Sequence, residues 1–277
     1  MELYTATAYD TSRRLTRAYS TSFSKSITLF DEPLQPHIYA VYGLVRIADE
    51  IVDTYDGKNK AELLDELEEE TYIAINRGYS PNPIVHAFAL TAREYDIDRS
   101  IIRPFFESMA MDLEPKTYNK KEYERYIYGS AEVVGLMCLR IFVQGDHRLY
   151  GRLQKGAQAL GAAYQKVNFL RDMAADYTDL GRVYFPGVEF DTFSDKDKAR
   201  IVADIERDIL YARKKLVRLP ASSRNAVELS LAYYYALLKK LGNTPADVIK
   251  QQRIRISAVH KLALHVKTSF VRRFRRG

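Results

Sequence analysis

Apolar residues recur every three or four positions along most of this 277-residue chain, which is the period of one face of an α-helix. Segments of about 12 to 30 residues carry this period, and clusters of Gly, Pro, Asn, Asp and Ser separate them. The pattern predicts an all-α helical bundle of about eight to ten helices. No internal repeat or shift of composition marks a boundary, so we expect residues 1–277 to form a single domain.

One predicted helix, residues 162–176, is mostly apolar but carries a line of polar side chains. Gln165, Asn168, Asp172 and Asp176 follow one another at steps of three, four and four residues. On a helix of 3.6 residues per turn, these steps place all four on one face. The remaining faces are apolar and predict a buried helix.

A second predicted helix, residues 38–57, has the same design. Tyr42, Arg46, Asp49 and Asp53 lie at spacings of four, three and four within an otherwise apolar segment. An Asp pair at this spacing is common on solvated helix faces, but here the flanks are too apolar for a helix on the surface. Unpaired carboxylates are costly to bury, and like charges at this spacing repel each other.

A divalent cation would offset that cost. Mg²⁺, or Mn²⁺ in its place, prefers oxygen ligands and is usually held by one or two carboxylates plus substrate phosphates. Arg46 and Arg171 lie beside the two Asp pairs and could bind phosphate oxygens bidentately. Di-iron carboxylate bundles are the competing interpretation, but they use Glu and Glu-x-x-His. The five histidines lack that spacing, so the pattern favours a diphosphate ester held through Mg²⁺ across a cavity inside the bundle.

Departure of diphosphate from an allylic carbon leaves a carbocation, which needs a dry pocket with electron-rich walls. The chain has 21 Tyr and 12 Phe, which could supply such walls. For most of these aromatic residues, packing in the core remains the better explanation.

Composition excludes several other classes. Hydrophobic residues make up 47% and charged residues 28% of the chain, as in an ordinary soluble globular protein. The single cysteine, Cys138, has apolar neighbours and is expected to be an inert core residue. The N-terminus lacks the apolar segment of a signal peptide. A membrane-spanning helix needs roughly 20 apolar residues, and Arg46, Asp49 or Arg140 interrupts each apolar stretch before that length is reached. We therefore expect no membrane span.

The net charge of +6 is concentrated in the last eleven residues, 267–277, which contain five Lys and Arg. The rest of the chain is therefore close to neutral, and no nucleic-acid binding is expected. Phe270 and Phe274 among these cations could rest on an anionic membrane surface. A solvated basic tail is the alternative. We expect a cytoplasmic protein, with peripheral contact at the inner face of the membrane if the tail binds lipid.

Four blocks, in order along the chain, resemble the squalene/phytoene synthases, which join two isoprenoid diphosphates head to head. The first two are "YSTSFS" (19–24) and "YGLVRIADEIVD" (42–53). The other two are "YIYGSAEVVGLM" (126–137) and "QKVNFLRDMAADYTDLGRVYFP" (165–186). The C-terminal third matches more loosely, through "AYYYALLKKL" and "RIRIS".

The resemblance implies a helical bundle of the isoprenoid synthase type with a central cavity, and a role for each matched residue. Asp49, Asp53, Asp172 and Asp176 would hold Mg²⁺. Arg46, Gln165, Asn168 and Arg171 would contact diphosphate or position the metal ligands. Ser20, Ser22 and Phe23 would form part of the entrance and substrate wall. Tyr42 and Tyr126 would face the reacting carbons, with Tyr234 lining the same cavity.

Some positions depart from the family's pattern. Ala48, Glu50 and Ala175 flank the presumed ligands without removing one. In the third block Ser130 and Glu132 replace Val and Gly. Gly129 and Gly135 match the family's pattern, although glycine is unfavourable inside a helix. Close approach of substrate, a local kink or close helix packing would each explain them.

The form "GSAEVVGLM" is similar to bacterial phytoene synthases, which implies that two geranylgeranyl diphosphates are condensed to phytoene without NADPH. The closest alternative is dehydrosqualene or squalene synthesis from farnesyl diphosphate, because no single stretch reports the length of the pocket. A non-catalytic helical assembly factor is a third possibility, but such a relative would be expected to lack aspartates that are all present here.

Overall fold

The structure is a computed structural model that describes residues 1–114 and 117–275. Side chains are described throughout this part of the chain except for Ser22 and residues 267–275. The predicted substrate contact of the Ser22 side chain, and the side chains of the predicted basic tail, therefore lie outside the described residues.

The described residues form thirteen α-helices and no β-strand, which confirms the predicted all-α class. The only strand-like pairing among them is an isolated bridge between Thr117 and Val183. Short helices such as Thr21–Ile27 and Ala246–Ile249 raise the number above the predicted eight to ten, because a helix of one or two turns has too few positions for a period. The helices are α1 (Glu2–Tyr19), α2 (Thr21–Ile27), α3 (Gln35–Asp49), α4 (Lys60–Arg77), α5 (Pro83–Glu94), α6 (Arg99–Ala110), α7 (Lys120–Ile127), α8 (Val133–Val143), α9 (His147–Leu180), α10 (Asp195–Leu216), α11 (Ala221–Asn243), α12 (Ala246–Ile249) and α13 (Ala258–Arg275).

Two short π-helical segments interrupt the helical pattern. Glu50–Thr54 continues α3, and there the N–H of Tyr55 donates to the carbonyl of Glu50, 2.9 Å away and five residues earlier. Tyr128–Glu132 joins α7 to α8. Segments of this kind are often found at functional sites, and these two lie in the second and third sequence blocks.

The long helix α9 organises the bundle. It packs against α8 and α10, while α3 packs against α1 and α5. Its first half contributes Leu153 and Ala157 to one apolar core, and its second half contributes Val167 and Leu170 to another. The polar stripe on its second half therefore lies on a helix fixed by two cores.

Both ends of α9 are set by local chemistry. The Asp146 carboxylate caps the first turn by accepting a hydrogen bond from the N–H of Leu149 at 2.8 Å. Gly181 ends the helix in the left-handed conformation, with φ +63°, which a residue with a Cβ disfavours. The N–H of Arg182 then returns to the carbonyl of Asp176 at 2.9 Å. This turn brings Arg182 back toward the carboxylates of the stripe.

The stretch Lys120–Val143 is the one part of the described chain that is long and apolar enough to cross a membrane by length and composition. Of its most apolar window, 56% is buried inside the bundle. The π-helical segment lets α7 and α8 count as one helix, which the sequence pattern did not anticipate. A mostly buried core helix passes the same test, so this is weak evidence for a span.

Candidate active site

The polar stripes of α3 and α9 lie close enough for their charges to interact. Burial, followed by the charges of Asp172 and Asp53, raises the pKa of Asp176 to about 7. Burial, followed by the charge of Asp53, raises the pKa of Asp49 to about 6. Asp53 therefore adjoins carboxylates of both helices, although the two stripes are more than 100 residues apart in sequence.

Arginines neutralise part of this acidic cluster. Arg46 donates from Nη1 to Oδ2 of Asp49 at 2.9 Å and also pairs with Glu50. On α9, Arg171 donates from Nε to Oδ1 of Asp172 at 2.9 Å. Because each pair joins opposite charges in a partly buried setting, it offsets much of the cost of placing a carboxylate there.

Asp172 also receives an arginine from the C-terminal third of the chain. Nε of Arg253 lies 2.6 Å from Oδ1 of Asp172, and Nη2 donates to Oδ2 at 3.2 Å. The sequence pattern predicted that a divalent cation would offset the cost of burying these aspartates. The structure shows that arginines also offset part of this cost at Asp49 and Asp172.

Arg182 connects the stripe of α3 to a residue that the sequence analysis missed. Its Nη1 lies 2.7 Å from Oδ1 of Asp53 and 3.6 Å from Oδ1 of Asp112. Its Nη2 donates to the backbone carbonyl of Asp112 at 2.5 Å. Burial disfavours the charge, but Asp112, Tyr184 and Asp53 raise the pKa of Arg182 overall. This guanidinium remains cationic and holds Asp53 in place.

Asp112 is almost fully buried, with 4% of its side chain exposed. Tyr126 donates its hydroxyl to Oδ2 at 2.5 Å, and Tyr118 donates to Oδ1 at 3.3 Å. Burial raises the pKa of Asp112 to about 7, although Arg182 and Tyr126 act in the opposite direction. Tyr126, predicted to face the reacting carbons, is itself 3% exposed, and its hydroxyl is directed at Asp112.

The oxygen donors of the two stripes suit a hard divalent cation. Solvent reaches the side chains of Asp49, Asp53 and Asp172, which are 37%, 34% and 20% exposed. Oδ1 of Asn168 is buried and accepts no hydrogen bond from any described residue. Such a carbonyl oxygen beside carboxylates is the donor set that Mg²⁺ prefers.

The donors do not form a compact cage by themselves. Within residues 1–114 and 117–275, no group of three or more His, Cys, Asp or Glu side chains is close enough to hold a metal ion. The ion pairs to arginine direct several of these carboxylates elsewhere. The metal-ligand roles of Asp49, Asp53, Asp172 and Asp176 therefore remain predictions.

A polar pocket of about 360 Å³ lies next to the stripe of α9. Four cationic side chains line it, and anions are the ligands that such a pocket attracts. Ser20, Phe23 and Tyr234 are lining residues that the sequence predicted. Ser20 also caps α2, because its hydroxyl accepts a hydrogen bond from the N–H of Phe23 at 3.3 Å. The cationic lining residues are Arg171, Arg253, Arg255 and Lys261.

An apolar cavity of about 220 Å³ adjoins this pocket. Phe23, Ser26 and Ser230 line both spaces, so the pocket and the cavity meet at these three side chains. Gln165 lies in the wall of the cavity, as does Cys138. Burial raises the pKa of the Cys138 thiol to about 12 and keeps it protonated, in line with an unreactive wall residue.

Stacked aromatic rings flank the junction. Phe23 stacks on Tyr42 with 5.4 Å between ring centroids, and Tyr164 stacks on Tyr234 at 3.8 Å. Burial raises the pKa of Tyr42 to about 12, so its ring carries a neutral phenol. Neutral, electron-rich ring faces are suited to a nearby cation.

The departures from the family's pattern differ in their distance from the site. Ser130 lines the apolar cavity and Glu50 pairs with Arg46, while Ala175 and Glu132 line neither the polar pocket nor the cavity. Ala175 is an exposed position. Glu132 accepts a hydrogen bond from Nε2 of Gln158 at 3.1 Å and joins the π-helical segment Tyr128–Glu132 to α9. Burial raises the pKa of Glu132, and the charge of Asp208 adds to this effect. These contacts assign Glu132 to helix packing.

The fold and the site define a helical bundle in which an arginine-lined polar pocket adjoins an apolar cavity, next to two stripes of aspartates. Comparison with known proteins identifies its family. The squalene/phytoene synthase family model matches residues 16–260. The chain therefore belongs to the squalene/phytoene synthase family, as the four sequence blocks predicted.

Two curated relatives are similar over much of the chain. Chloroplastic phytoene synthase 1 of Arabidopsis thaliana is 29% identical over 252 residues, which is 84% of this chain and 60% of that protein. Phytoene synthase of Arthrospira platensis is 30% identical over 190 residues, which is 65% of this chain and 61% of that protein. The chain thus spans about three fifths of the length of each relative.

The fold has a close counterpart among solved structures. A dehydrosqualene synthase in complex with ligand superposes with a TM-score of 0.81. The superposition covers 96% of this chain and 97% of that one, at 18% sequence identity. This confirms the predicted bundle of the isoprenoid synthase type.

Proposed function

We propose that the protein condenses two geranylgeranyl diphosphates head to head and forms phytoene through a cyclopropylcarbinyl diphosphate. The observation that carries this proposal is that the cationic pocket and the apolar cavity adjoin and share Phe23, Ser26 and Ser230 in their walls. A prenyl diphosphate has the same two parts, a charged head and an apolar chain. The phytoene synthase relatives support the same chemistry.

The charged head would occupy the arginine-lined pocket. When bound, Mg²⁺ or Mn²⁺ would neutralise the leaving diphosphate, and Asp49, Asp53, Asp172 and Asp176 would hold it with Asn168 beside them. Arg171 and Arg253 now pair with Asp172. Their guanidinium groups would turn to phosphate oxygens, which they can bind bidentately. Arg46 would act in the same way beside Asp49.

The reacting carbons would lie at the junction of pocket and cavity. There the C1–O bond of one diphosphate breaks, and the double bond of the second substrate attacks the allylic cation. The rings of Phe23, Tyr42 and Tyr234 would face that cation and exclude water. Each of the two half-reactions releases one diphosphate and one proton. No hydride enters, so no NADPH is required.

Tyr126 would not line the cavity but would help to position the aspartates. Its hydroxyl is bound to Asp112 at 2.5 Å, and Asp112 contacts Arg182. Through this chain Tyr126 would hold Arg182 and hence Asp53 in position, while a role in steering protons would require the hydroxyl to turn away from Asp112.

The test is incubation of purified protein with Mg²⁺ and either geranylgeranyl or farnesyl diphosphate, with and without NADPH, followed by mass identification of extracted products. We expect a C40 hydrocarbon in both cofactor conditions. Absence of condensation with either substrate would overturn the enzymatic proposal.

Farnesyl diphosphate is included because the apolar cavity encloses only about 220 Å³. A chain of 15 carbons needs less room than one of 20, so the small cavity favours the C30 reaction as the second candidate. A C30 hydrocarbon as the sole product would replace phytoene by dehydrosqualene, or by squalene if NADPH were required. We also propose that the protein acts in the cytoplasm.

A further inference from the structure

Ser130 is a small residue in the wall of the apolar cavity. It lies in the π-helical segment Tyr128–Glu132, at a position where the family's pattern has Val. Ser130 does not line the polar pocket, so a bound prenyl diphosphate would meet it with its hydrocarbon chain and not with its charged head. Position 130 therefore belongs to the part of the site that contacts the length of a substrate.

No hydrogen bond fixes the Ser130 hydroxyl in the described part of the chain. Its Oγ is buried and has no hydrogen-bond partner among the described residues. A buried hydroxyl without a partner costs free energy instead of stabilising the protein. What the side chain contributes is its small size, since a branched residue such as Val or Thr carries a second group on Cβ.

The backbone around Ser130 cannot withdraw to make room for a larger side chain. A Cβ at Gly129, the preceding residue, would lie 2.1 Å from the carbonyl oxygen of Pro104 in α6. On the other side, a Cβ at Gly161 of α9 would lie 2.4 Å from the carbonyl oxygen of Ala131. The segment is held between two helices that touch its backbone, so additional atoms at position 130 extend into the cavity.

Other small residues of the cavity wall cannot control its volume in the same way. At Gly135 and Gly161 an added Cβ would meet a backbone carbonyl oxygen of a neighbouring helical segment. The alanines of the wall are covered by neighbouring atoms. They are Ala131, Ala157 and Ala226. Ser130 is half-buried and is not part of the polar pocket, so added volume at this position comes out of the apolar part of the cavity.

We propose that the side chain at position 130 sets the length of prenyl chain that the cavity accepts, and that Ser130 admits a chain of 20 carbons. This inference rests on the proposed function. The cavity encloses only about 220 Å³, so one more branch on Cβ at its wall removes space that the longer chain needs. Because geranylgeranyl and farnesyl diphosphate differ only in chain length, the apolar wall and not the polar pocket discriminates between them.

The test compares the binding of geranylgeranyl and farnesyl thiolodiphosphates in the presence of Mg²⁺. In these analogues sulfur replaces the bridging oxygen and slows ionisation, so binding is measured without turnover. For Ser130→Val we expect the ratio of the two dissociation constants to shift toward the farnesyl analogue at least about tenfold. A difference of one methylene group in an apolar pocket is worth roughly 10- to 200-fold in discrimination. Competition between the two diphosphates during turnover should shift in the same direction.

Two further variants at position 130 separate size from polarity. Ser130→Thr keeps the hydroxyl and has the shape of Val, so it should shift the ratio as Val does. Ser130→Ala removes the hydroxyl without adding volume and should keep the wild-type ratio. Ala159→Val is the matched control on α9, because Ala159 lines neither the cavity nor the polar pocket, and its ratio should also be that of the wild type. The thermal midpoint verifies that each variant is folded.

The outcomes separate this inference from the proposed reaction. A wild type that forms no hydrocarbon, yet binds both analogues and shows the Val and Thr shifts, would contradict only the reaction. An unchanged ratio in the Val and Thr variants would overturn the role of Ser130 even if phytoene is formed. So would a shift in the Val and Ala variants with none in the Thr variant, because polarity and not size would then discriminate. Failure of the wild type to bind either analogue would also overturn it.

Discussion

At the scale of single residues, the site is built from carboxylates and guanidinium groups that alternate in space. Arg46 forms an ion pair with Asp49, and Arg182 forms one with Asp53. Asp172 forms ion pairs with both Arg171 and Arg253. A divalent cation and a diphosphate can enter such an array together, because the cation takes the carboxylates while the phosphates take the arginines. The ion pairs keep the site ordered when neither is present.

This arrangement leads to the first prediction, that Asp49→Asn and Asp172→Asn each abolish turnover. The amide keeps the shape of the side chain but removes the charge that a divalent cation requires, and we expect losses of roughly a thousandfold or more. Product formation measures the loss, and the helical circular dichroism spectrum should be unchanged. Asp179→Asn, at an exposed position near the end of α9, should retain normal activity. Near-normal turnover in either site variant would refute the metal assignment.

Sequence patterns locate only part of this array, because they detect periodicity. Asp49, Asp53, Asp172 and Asp176 are visible as pairs on helices. Asp112 stands alone after the end of α6 and has no periodic partner. Its importance comes from contacts with Arg182 and Tyr126, which depend on the tertiary fold. Arg182 lies within a matched block, but nothing in the chain indicated that Gly181 turns it back toward Asp53.

The second prediction concerns the stability that Asp112 provides. Asp112→Ala removes the acceptor of the Tyr126 hydroxyl and one partner of the buried Arg182, and should cost about 3–5 kcal/mol of unfolding free energy. Asp112→Asn keeps an acceptor oxygen and should cost less, about 1–3 kcal/mol. Urea unfolding followed by circular dichroism measures both. Asp65→Ala, on the exposed face of α4, should change stability by less than about 0.5 kcal/mol. If the alanine and asparagine variants of Asp112 were equally stable, the hydrogen bonds of the buried Asp112 carboxylate would not stabilise the fold.

At the scale of helices, glycines determine how closely the elements approach. A Cβ at Gly129 would lie 2.1 Å from the carbonyl oxygen of Pro104 and 2.7 Å from Cβ of Ser108. A Cβ at Gly135 would lie 2.8 Å from the carbonyl oxygen of Ala157. Of the explanations that the sequence left open, the structure supports close helix packing for both glycines. Periodicity could not decide this, because the neighbouring helix is not encoded in the local pattern.

The third prediction follows from these distances. Gly129→Ala should destabilise the protein by about 1–3 kcal/mol or more, because backbone atoms of α6 cannot move aside as a flexible side chain can. Gly151→Ala is the matched change on α9, where an added Cβ would meet nothing within 4 Å. That variant should be stabilised by roughly 0.5–1 kcal/mol through its better helix propensity. Thermal or urea unfolding measures the change in unfolding free energy, which should have opposite signs in the two variants. A Gly129→Ala variant as stable as the wild type would contradict the close packing of Gly129 against α6.

At the scale of the whole molecule, the predicted class and family are confirmed, and the reason is physical. Helical period, cap residues and apolar faces are local properties, so an all-α bundle can be read from the chain. The volume of the cavity is different, since it depends on side chains from α2, α8, α9 and α11 together. Substrate length therefore could not be predicted from any one segment.

The fourth prediction tests whether the carboxylates and arginines act as one site in the intact molecule. Inorganic pyrophosphate and Mg²⁺ together should raise the thermal midpoint, while each alone should have a much smaller effect. Either ligand alone would have to break the arginine–aspartate pairs without satisfying both partners. A ligand present at 100 times its dissociation constant stabilises the folded state by about 2.7 kcal/mol. For a chain of this size that corresponds to a shift of roughly 5–10 °C.

The matched comparison uses Asp172→Asn, in which Arg171 and Arg253 lose their shared carboxylate partner. In this variant pyrophosphate alone should bind more readily than in the wild type, because the two guanidinium groups no longer have to leave an anion, and the added effect of Mg²⁺ should be lost. A wild-type midpoint that rises with Mg²⁺ alone as far as with both ligands would show instead that the carboxylates bind the cation without help from phosphate. Calorimetry across the four ligand conditions separates these outcomes, because joint binding requires the combined shift to exceed the sum of the two single shifts.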